Sequence, residues 1–193
     1  MIPTPEWRND LYKRKLTDRP WSVGDNINLS IGQGDLSVTP LQLAVAYATI
    51  ANGGHVVRPH LGRRIEDAEG RVLQEFETPA RRGVDMDPAH RQAIMDGLVA
   101  AANAPGGTST DVFAGFNIPI AGKTGTAEKG LGRADQSWYA ALAPYPDPKY
   151  VVVTTFEAGG FGAETAAPAA RAILTELFGV NSDGPIPEGS SDD

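Results

Sequence analysis

The chain has 193 residues, 41% of them hydrophobic, with a mean hydropathy of −0.25, which suits one folded domain rather than a disordered polymer. Its formal net charge is −7, and this argues against a nucleic-acid partner held mainly by phosphate contacts. There are no cysteines, so disulfides and thiolate metal sites are excluded, and no apolar run approaches the length of a membrane span.

Residues 1–38 hold Pro3, Pro5, Pro20, Gly24, Gly32 and Gly34, and read as an irregular segment wrapped over the body. A helix then opens at Thr39. Thr39 is a suitable N-cap, Pro40 fits the first turn, and Gln42 completes a capping box. Leu43, Ala46, Tyr47 and Ile50 recur at helical spacing until Asn52-Gly53-Gly54 stops the helix. Residues 56–61 read as a strand, with Pro59 pointing to an edge or bulge. Residues 63–76 read as a hairpin turning near Asp67–Gly70.

A second helix is expected from Asp87-Pro88, with Ile94, Leu98 and Ala102 on its apolar face. Residues 104–110, APGGTST, read as a loop. Three strands follow at 118–128, 137–143 and 150–157, joined by Gly- and Pro-rich connections that favour antiparallel neighbours. Trp138 and Tyr139 should point to opposite faces of the middle strand. A last helix runs from about 166 to 178 and stops at Gly179. The order of elements predicts an α+β fold, an antiparallel sheet with flanking helices. Residues 181–193 read as an acidic disordered tail; its four acids, Asp183, Glu188, Asp192 and Asp193, carry more than half of the net charge.

The segment Ala121–Gly130, AGKTGTAEKG, carries the chemistry. Gly-Lys-Thr suits a phosphate loop, but the first glycine of such a loop should stand at position 117, which is Asn117. Gly125, Gly130 and Gly132 also obstruct the helix a phosphate loop requires next. Lys-Thr-Gly on a strand suits serine acyl transfer instead. A lysine supplies positive charge beside an anionic substrate, a threonine hydroxyl donates to a carboxylate, and a glycine clears space for substrate backbone. A main-chain N–H just beyond can meet the developing oxyanion.

Other candidates read as structure. Gly32-Gln33-Gly34 lacks a dinucleotide fingerprint and reads as a turn leading into the Thr39 helix. His55, His60 and His90 lack triad partners, and Asp87, next to Asp85 and His90, is an N-cap before it is a metal ligand. Arg133, Asp135 and Gln136 fall in a loop that, by residue type alone, reads as soluble surface.

Several words in fixed order carry a resemblance. They are IPTPEW (2–7), W-x-x-G-D with N-x-S-I-G-Q-G (21–34), VTPLQLA (38–44), IANGG (50–54), GGT (106–108), IAGKTGTAE (120–128) and WYAALAP (138–144). With Y-V-V-V…E (150–157), the chain resembles the C-terminal half of a class B penicillin-binding protein, a peptidoglycan D,D-transpeptidase of the elongation or division type. The resemblance implies a partial transpeptidase (β-lactamase-like) fold over residues 1–180. It implies catalytic roles for Lys123, as the triad lysine coupled electrostatically to the active-site serine network, and for Thr126, whose main-chain N–H forms half of the oxyanion hole. It implies that Thr124 binds the substrate carboxylate and that Gly125 gives clearance. For the loop of Arg133, Asp135 and Gln136 it implies a border of the substrate groove, a reading equal in weight to soluble surface. It brings no cofactor and no metal. The implied partners are stem peptides ending in D-Ala-D-Ala, β-lactams, the N-terminal half of the domain, and glycosyltransferase, divisome or elongasome proteins. The implied place is the extracytoplasmic side of a membrane, through an anchor outside this sequence.

The sequence departs from that family in one respect. None of Ser22, Ser30, Ser37, Ser109, Ser137, Ser182, Ser190 and Ser191 has a lysine three residues on, and no Ser-x-Asn occurs. In the family both motifs precede the Gly-Gln-Gly region. The expectation is therefore a transpeptidase fragment, inactive alone and with an apolar face left bare. The alternative is a non-catalytic module of degenerate penicillin-binding fold that holds partners or muropeptides, and an in-frame Ser-x-x-Lys upstream would decide between them.

Overall fold

The computed structural model describes residues 1–130 and 132–180; the acidic tail expected at 181–193 lies outside the described residues. The first 38 residues are not irregular. They hold helices α1 (Pro5–Lys13) and α2 (Val23–Ser30). Counting proline and glycine as turn formers misreads them, because Pro5 sits in the first helical turn, where a missing N–H costs nothing. Thr4 caps α1 by accepting from the Trp7 N–H at 3.2 Å. Asp25 closes the start of α2 by accepting from the Ser22 N–H at 2.7 Å, and it is gripped by both Nη atoms of Arg19, at 2.5 and 2.9 Å. That guanidinium holds the Asp25 carboxyl well below the usual carboxylate range. Val23, Ile27 and Ile31, spaced four apart, form an apolar row with 73%, 61% and 69% of their surface exposed.

Helix α3 (Pro40–Ala51) starts as its sequence predicts: the Thr39 hydroxyl accepts from the Gln42 N–H, and the Gln42 side chain accepts from the Thr39 N–H. Thr39→Ala should destabilise the chain by about 1 kcal/mol, read as a shifted urea midpoint at unchanged slope. The strand expected at 56–61 shrinks to β1 (His55–Val56), since Pro59 has no N–H to offer a ladder. Strands β2 (Arg64–Glu66) and β3 (Val72–Glu75) form the expected hairpin around Asp67–Gly70, and all of their residues are exposed. Strand β4 (Arg82–Gly83), which has no periodic pattern to betray it, pairs with β1.

Helix α4 (Pro88–Asn103) is capped by Asp87, which accepts from the N–H groups of Ala89 and His90. Leu98 and Ala102 are buried as expected, but Met95 takes the inward place expected of Ile94, which is 44% exposed. The loop after it ends in a short helix, α5 (Thr110–Phe113). Strands β5 (Ala121–Ala127), β6 (Gln136–Ala143) and β7 (Tyr150–Phe156) form an antiparallel sheet in that order. A π-helical turn (Gly162–Ala166) then leads into α6 (Ala167–Phe178), which stops at Gly179 in the left-handed conformation, φ +60°.

Helices cover both faces of the sheet. On one face Tyr139, Ala141, Ala143 and Val152 pack against Val112 and Phe113 of α5 and Ala167, Ala170 and Leu174 of α6. The alanines of α6 let its backbone lie close to the strands. On the other face Ala121 and Leu142 meet Met95 and Leu98 of α4, with Tyr47 and Ile50 of α3 beside them. These two helices cover only one end of that face. At the other end the sheet is the floor of an open cleft.

Candidate functional site

The cleft measures about 650 Å³, and its floor is made by Lys123, Gly125 and Ala127 of β5 with Gln136, Trp138 and Ala140 of β6. Pro40, Leu43 and Tyr47 of α3 and the loop at 31–38 form its side. In an antiparallel sheet, residues directly opposite share a face, and Gly125 pairs with Trp138 while Thr124 pairs with Tyr139. Trp138 therefore faces the cleft, and Tyr139 is fully buried on the α6 side, as alternation predicts.

Within the sheet β5 is an edge strand among the described residues. The edge away from β6 can be traced from its contacts. The carbonyls of Ile120, Thr124 and Thr126 accept from the side chains of Asn103, Lys123 and Gln33, at 2.9, 3.3 and 2.9 Å. The N–H of a strand residue leaves on the same side as its C=O, so the Thr126 N–H points outward along this edge too.

Three polar groups converge at its centre. The Lys123 ammonium donates to the Thr124 hydroxyl at 2.8 Å and to the Thr108 hydroxyl at 3.2 Å, and Thr124 Oγ1 donates to Thr108 Oγ1 at 2.8 Å. A cation with two hydroxyls in so small a volume has the donors to hold an oxyanion or carboxylate. The triangle is braced from below. Ser109 Oγ and Tyr139 Oη form a buried hydrogen bond at 2.9 Å, which fixes the loop carrying Thr108 to β6. Burial pushes the Tyr139 hydroxyl pKa well up, so it stays neutral; the bond to Ser109 pulls weakly the other way. Gly122 lies over that hydroxyl.

Underneath, the π-helical turn presses against β5. The Gly162 N–H donates to Thr126 Oγ1 at 3.4 Å, and Ser137 Oγ donates to the Phe161 C=O while accepting from the Ala166 N–H, both at 3.1 Å. A Cβ on Gly162 would come within 2.6 Å of the Trp138 carbonyl, so only glycine fits.

All four residues singled out by sequence, Lys123, Thr124, Gly125 and Thr126, thus lie along one strand edge beside the cleft. The segment after Lys123 is strand and not helix, which removes the phosphate-loop reading. Two contributors were not read from sequence. Thr108 stands in a Gly-Gly-Thr word whose role is invisible until the loop folds back, and Gln33 stands in a turn read as purely structural. Gln136 lines the cleft, whereas His55, His60 and His90 are exposed and away from it. Among the described residues no helix is long and apolar enough to cross a membrane.

The sequence matches the family model described as the penicillin binding protein transpeptidase domain, over residues 9–175. A curated relative, peptidoglycan D,D-transpeptidase MrdA of Haemophilus influenzae, is 39% identical over 189 residues, covering 90% of this chain and 28% of its own. Peptidoglycan D,D-transpeptidase PbpA of Mycolicibacterium smegmatis is 37% identical over 155 residues, covering 75% of this chain and 30% of its own. The chain therefore spans about three tenths of the length of these relatives. Among solved structures, PBP2 of Pseudomonas aeruginosa in complex with WCK 5153 superposes with a TM-score of 0.74 at 30% identity, covering 97% of this chain and 40% of that one. Penicillin-binding protein A of M. tuberculosis, solved as a penicillin G acyl-enzyme, superposes with a TM-score of 0.61 at 29% identity, covering 80% of this chain and 34% of that one.

Proposed function

Because the chain belongs to the penicillin binding protein transpeptidase family, we propose that β5 is the substrate strand of a peptidoglycan D,D-transpeptidase and that residues 1–180 are the C-terminal part of its catalytic domain. The observation that carries this is the triangle of Lys123, Thr124 and Thr108 on the same strand edge as the outward N–H of Thr126. In this reading a peptide ending in D-Ala-D-Ala lies along β5. Its terminal carboxylate takes hydrogen bonds from Thr124 and sits in the field of Lys123. Gly125 leaves room for its backbone, and the Thr126 N–H meets the carbonyl oxygen as it gains charge.

The reaction is acylation of a serine with release of D-alanine, followed by attack of a neighbouring stem-peptide amine on the acyl-enzyme. The serine and its lysine belong to a segment outside this sequence, as does a membrane anchor placing the domain on the extracytoplasmic side. β-Lactams, whose carboxylate mimics that of the peptide, occupy the same edge. The exposed Val23, Ile27 and Ile31 row and the open cleft fit a surface that the rest of the domain covers.

The 193-residue chain should form no covalent adduct with a fluorescent penicillin, read by denaturing gel and intact mass; an adduct would show that it holds a competent nucleophile after all. Non-covalent binding is the positive test. N-acetyl-D-alanyl-D-alanine should shift the amide signals of Thr124 and Thr126, and shifts scattered elsewhere on the surface would defeat the reading.

A further inference from the structure

The Gly32-Gln33-Gly34 turn does more than redirect the chain. Its glycines alone satisfy the turn, with φ of +76° and +74°. Nothing in that geometry requires an amide between them. Yet Gln33 is half-buried and reaches a strand 93 positions away. Its Nε2 donates to the Thr126 C=O at 2.9 Å, and its Oε1 accepts from the Glu128 N–H at 3.3 Å. One side-chain amide thereby occupies the donor and acceptor slots that a neighbouring strand would use.

We propose that Gln33 is a positioning residue that clamps the free edge of β5 so that the Thr126 N–H stays aimed at the substrate carbonyl; this rests on the transpeptidase reading of that strand. The need for a clamp follows from the residue before it. Gly125 clears space for a substrate, but glycine also frees the backbone that sets the direction of the Thr126 N–H. Thr126 is then held from two sides, by Gln33 at its carbonyl and by the Gly162 N–H at its hydroxyl. The clamp has a second effect. By filling the edge at Thr126 C=O and Glu128 N–H, Gln33 ends the pairing surface there, so a peptide laid along β5 stops in one register, with its reacting carbonyl at Thr126.

The test uses the chain as it stands, observed by NMR. Gln33→Leu removes both hydrogen bonds. Gln33→Glu keeps the shape and the acceptor for the Glu128 N–H but loses the donor to Thr126 at neutral pH. Both variants should shift the Thr126 carbonyl ¹³C signal, while Glu128 amide exchange accelerates only in Gln33→Leu. Both should weaken N-acetyl-D-alanyl-D-alanine about tenfold with the melting temperature within a few degrees of the parent, as loss of a preorganised donor predicts. Unchanged affinity in both variants would overturn the positioning role, leaving a turn residue only. A Thr126 carbonyl unmoved by Gln33→Leu would overturn the clamp itself. If the parent chain does not respond to the probe, the transpeptidase reading of the strand falls, while the carbonyl shift still decides whether the clamp exists.

Discussion

Gly122→Ala should lower the melting temperature by roughly 6–12 °C, equivalent to about 3 kcal/mol for a chain of this size. A Cβ built there stands 2.4 Å from the Tyr139 hydroxyl oxygen, 2.9 Å from the ring carbon bearing it and 3.0 Å from the Ala140 carbonyl. None of these can yield cheaply. Tyr139 is fully buried, stacks on Phe113 at 5.6 Å between ring centroids, and spends its hydroxyl on Ser109. Moving the ring breaks that bond and leaves two buried hydroxyls competing for partners. The loop holding Thr108 loosens as a result, so the variant should also lose order in the Lys123 triangle. Gly97→Ala is the matched control. It lies at an exposed position of α4, and among the described residues nothing stands within 4 Å of its Cβ position, so alanine there should stabilise by about 1 kcal/mol. Thermal melts of the two variants should move in opposite directions, and a harmless Gly122→Ala would mean that the sheet and Tyr139 are not packed as described.

Lys123→Ala should weaken N-acetyl-D-alanyl-D-alanine by ten- to a hundredfold, the loss of a charge-assisted contact worth about 1.5–3 kcal/mol. The ammonium does two things at once. It supplies the positive charge, and it orients the Thr124 and Thr108 hydroxyls by donating to both. Lys123→Met keeps much of the aliphatic stem and should lose as much affinity, because the stem contributes packing and not recognition. Since Lys123 is exposed, neither variant should alter the melt by more than a degree or two. Affinity that survives both substitutions would put the anion elsewhere in the cleft.

What could be read from sequence divides along a physical line. Strand β7 was legible because β-branched and aromatic residues fill it, and β5 and β6 because Gly- and Pro-rich connections set them off as its antiparallel neighbours. Helix α3 was legible because Thr39, Pro40 and Gln42 specify its start by local chemistry alone. Helices α1 and α2 carry signals just as local, Thr4 with Pro5 and Ser22 with Asp25, yet neighbouring prolines and glycines masked them. In α4 the face shifted from Ile94 to Met95, since which of two adjacent apolar residues turns inward depends on the sheet it meets. The site follows the same rule. Lys123, Thr124, Gly125 and Thr126 are consecutive and were found together. Thr108 lies 15 positions from Lys123 and Gln33 lies 93 from Thr126, so no local pattern could assign them to that strand.

The β2–β3 hairpin bears on how this chain would breathe. Its strand residues are all exposed and, among the described residues, pair only with one another, so its ladder is not anchored to the hydrophobic body. Two strands alone are marginal in water. The arm should therefore open and close as a unit of its own, exchanging its amide hydrogens long before the β5–β7 ladder does. Its tip at Asp67–Gly70 becomes the natural place for a protease to cut or for an inserted segment to be carried, with the rest of the architecture indifferent to either.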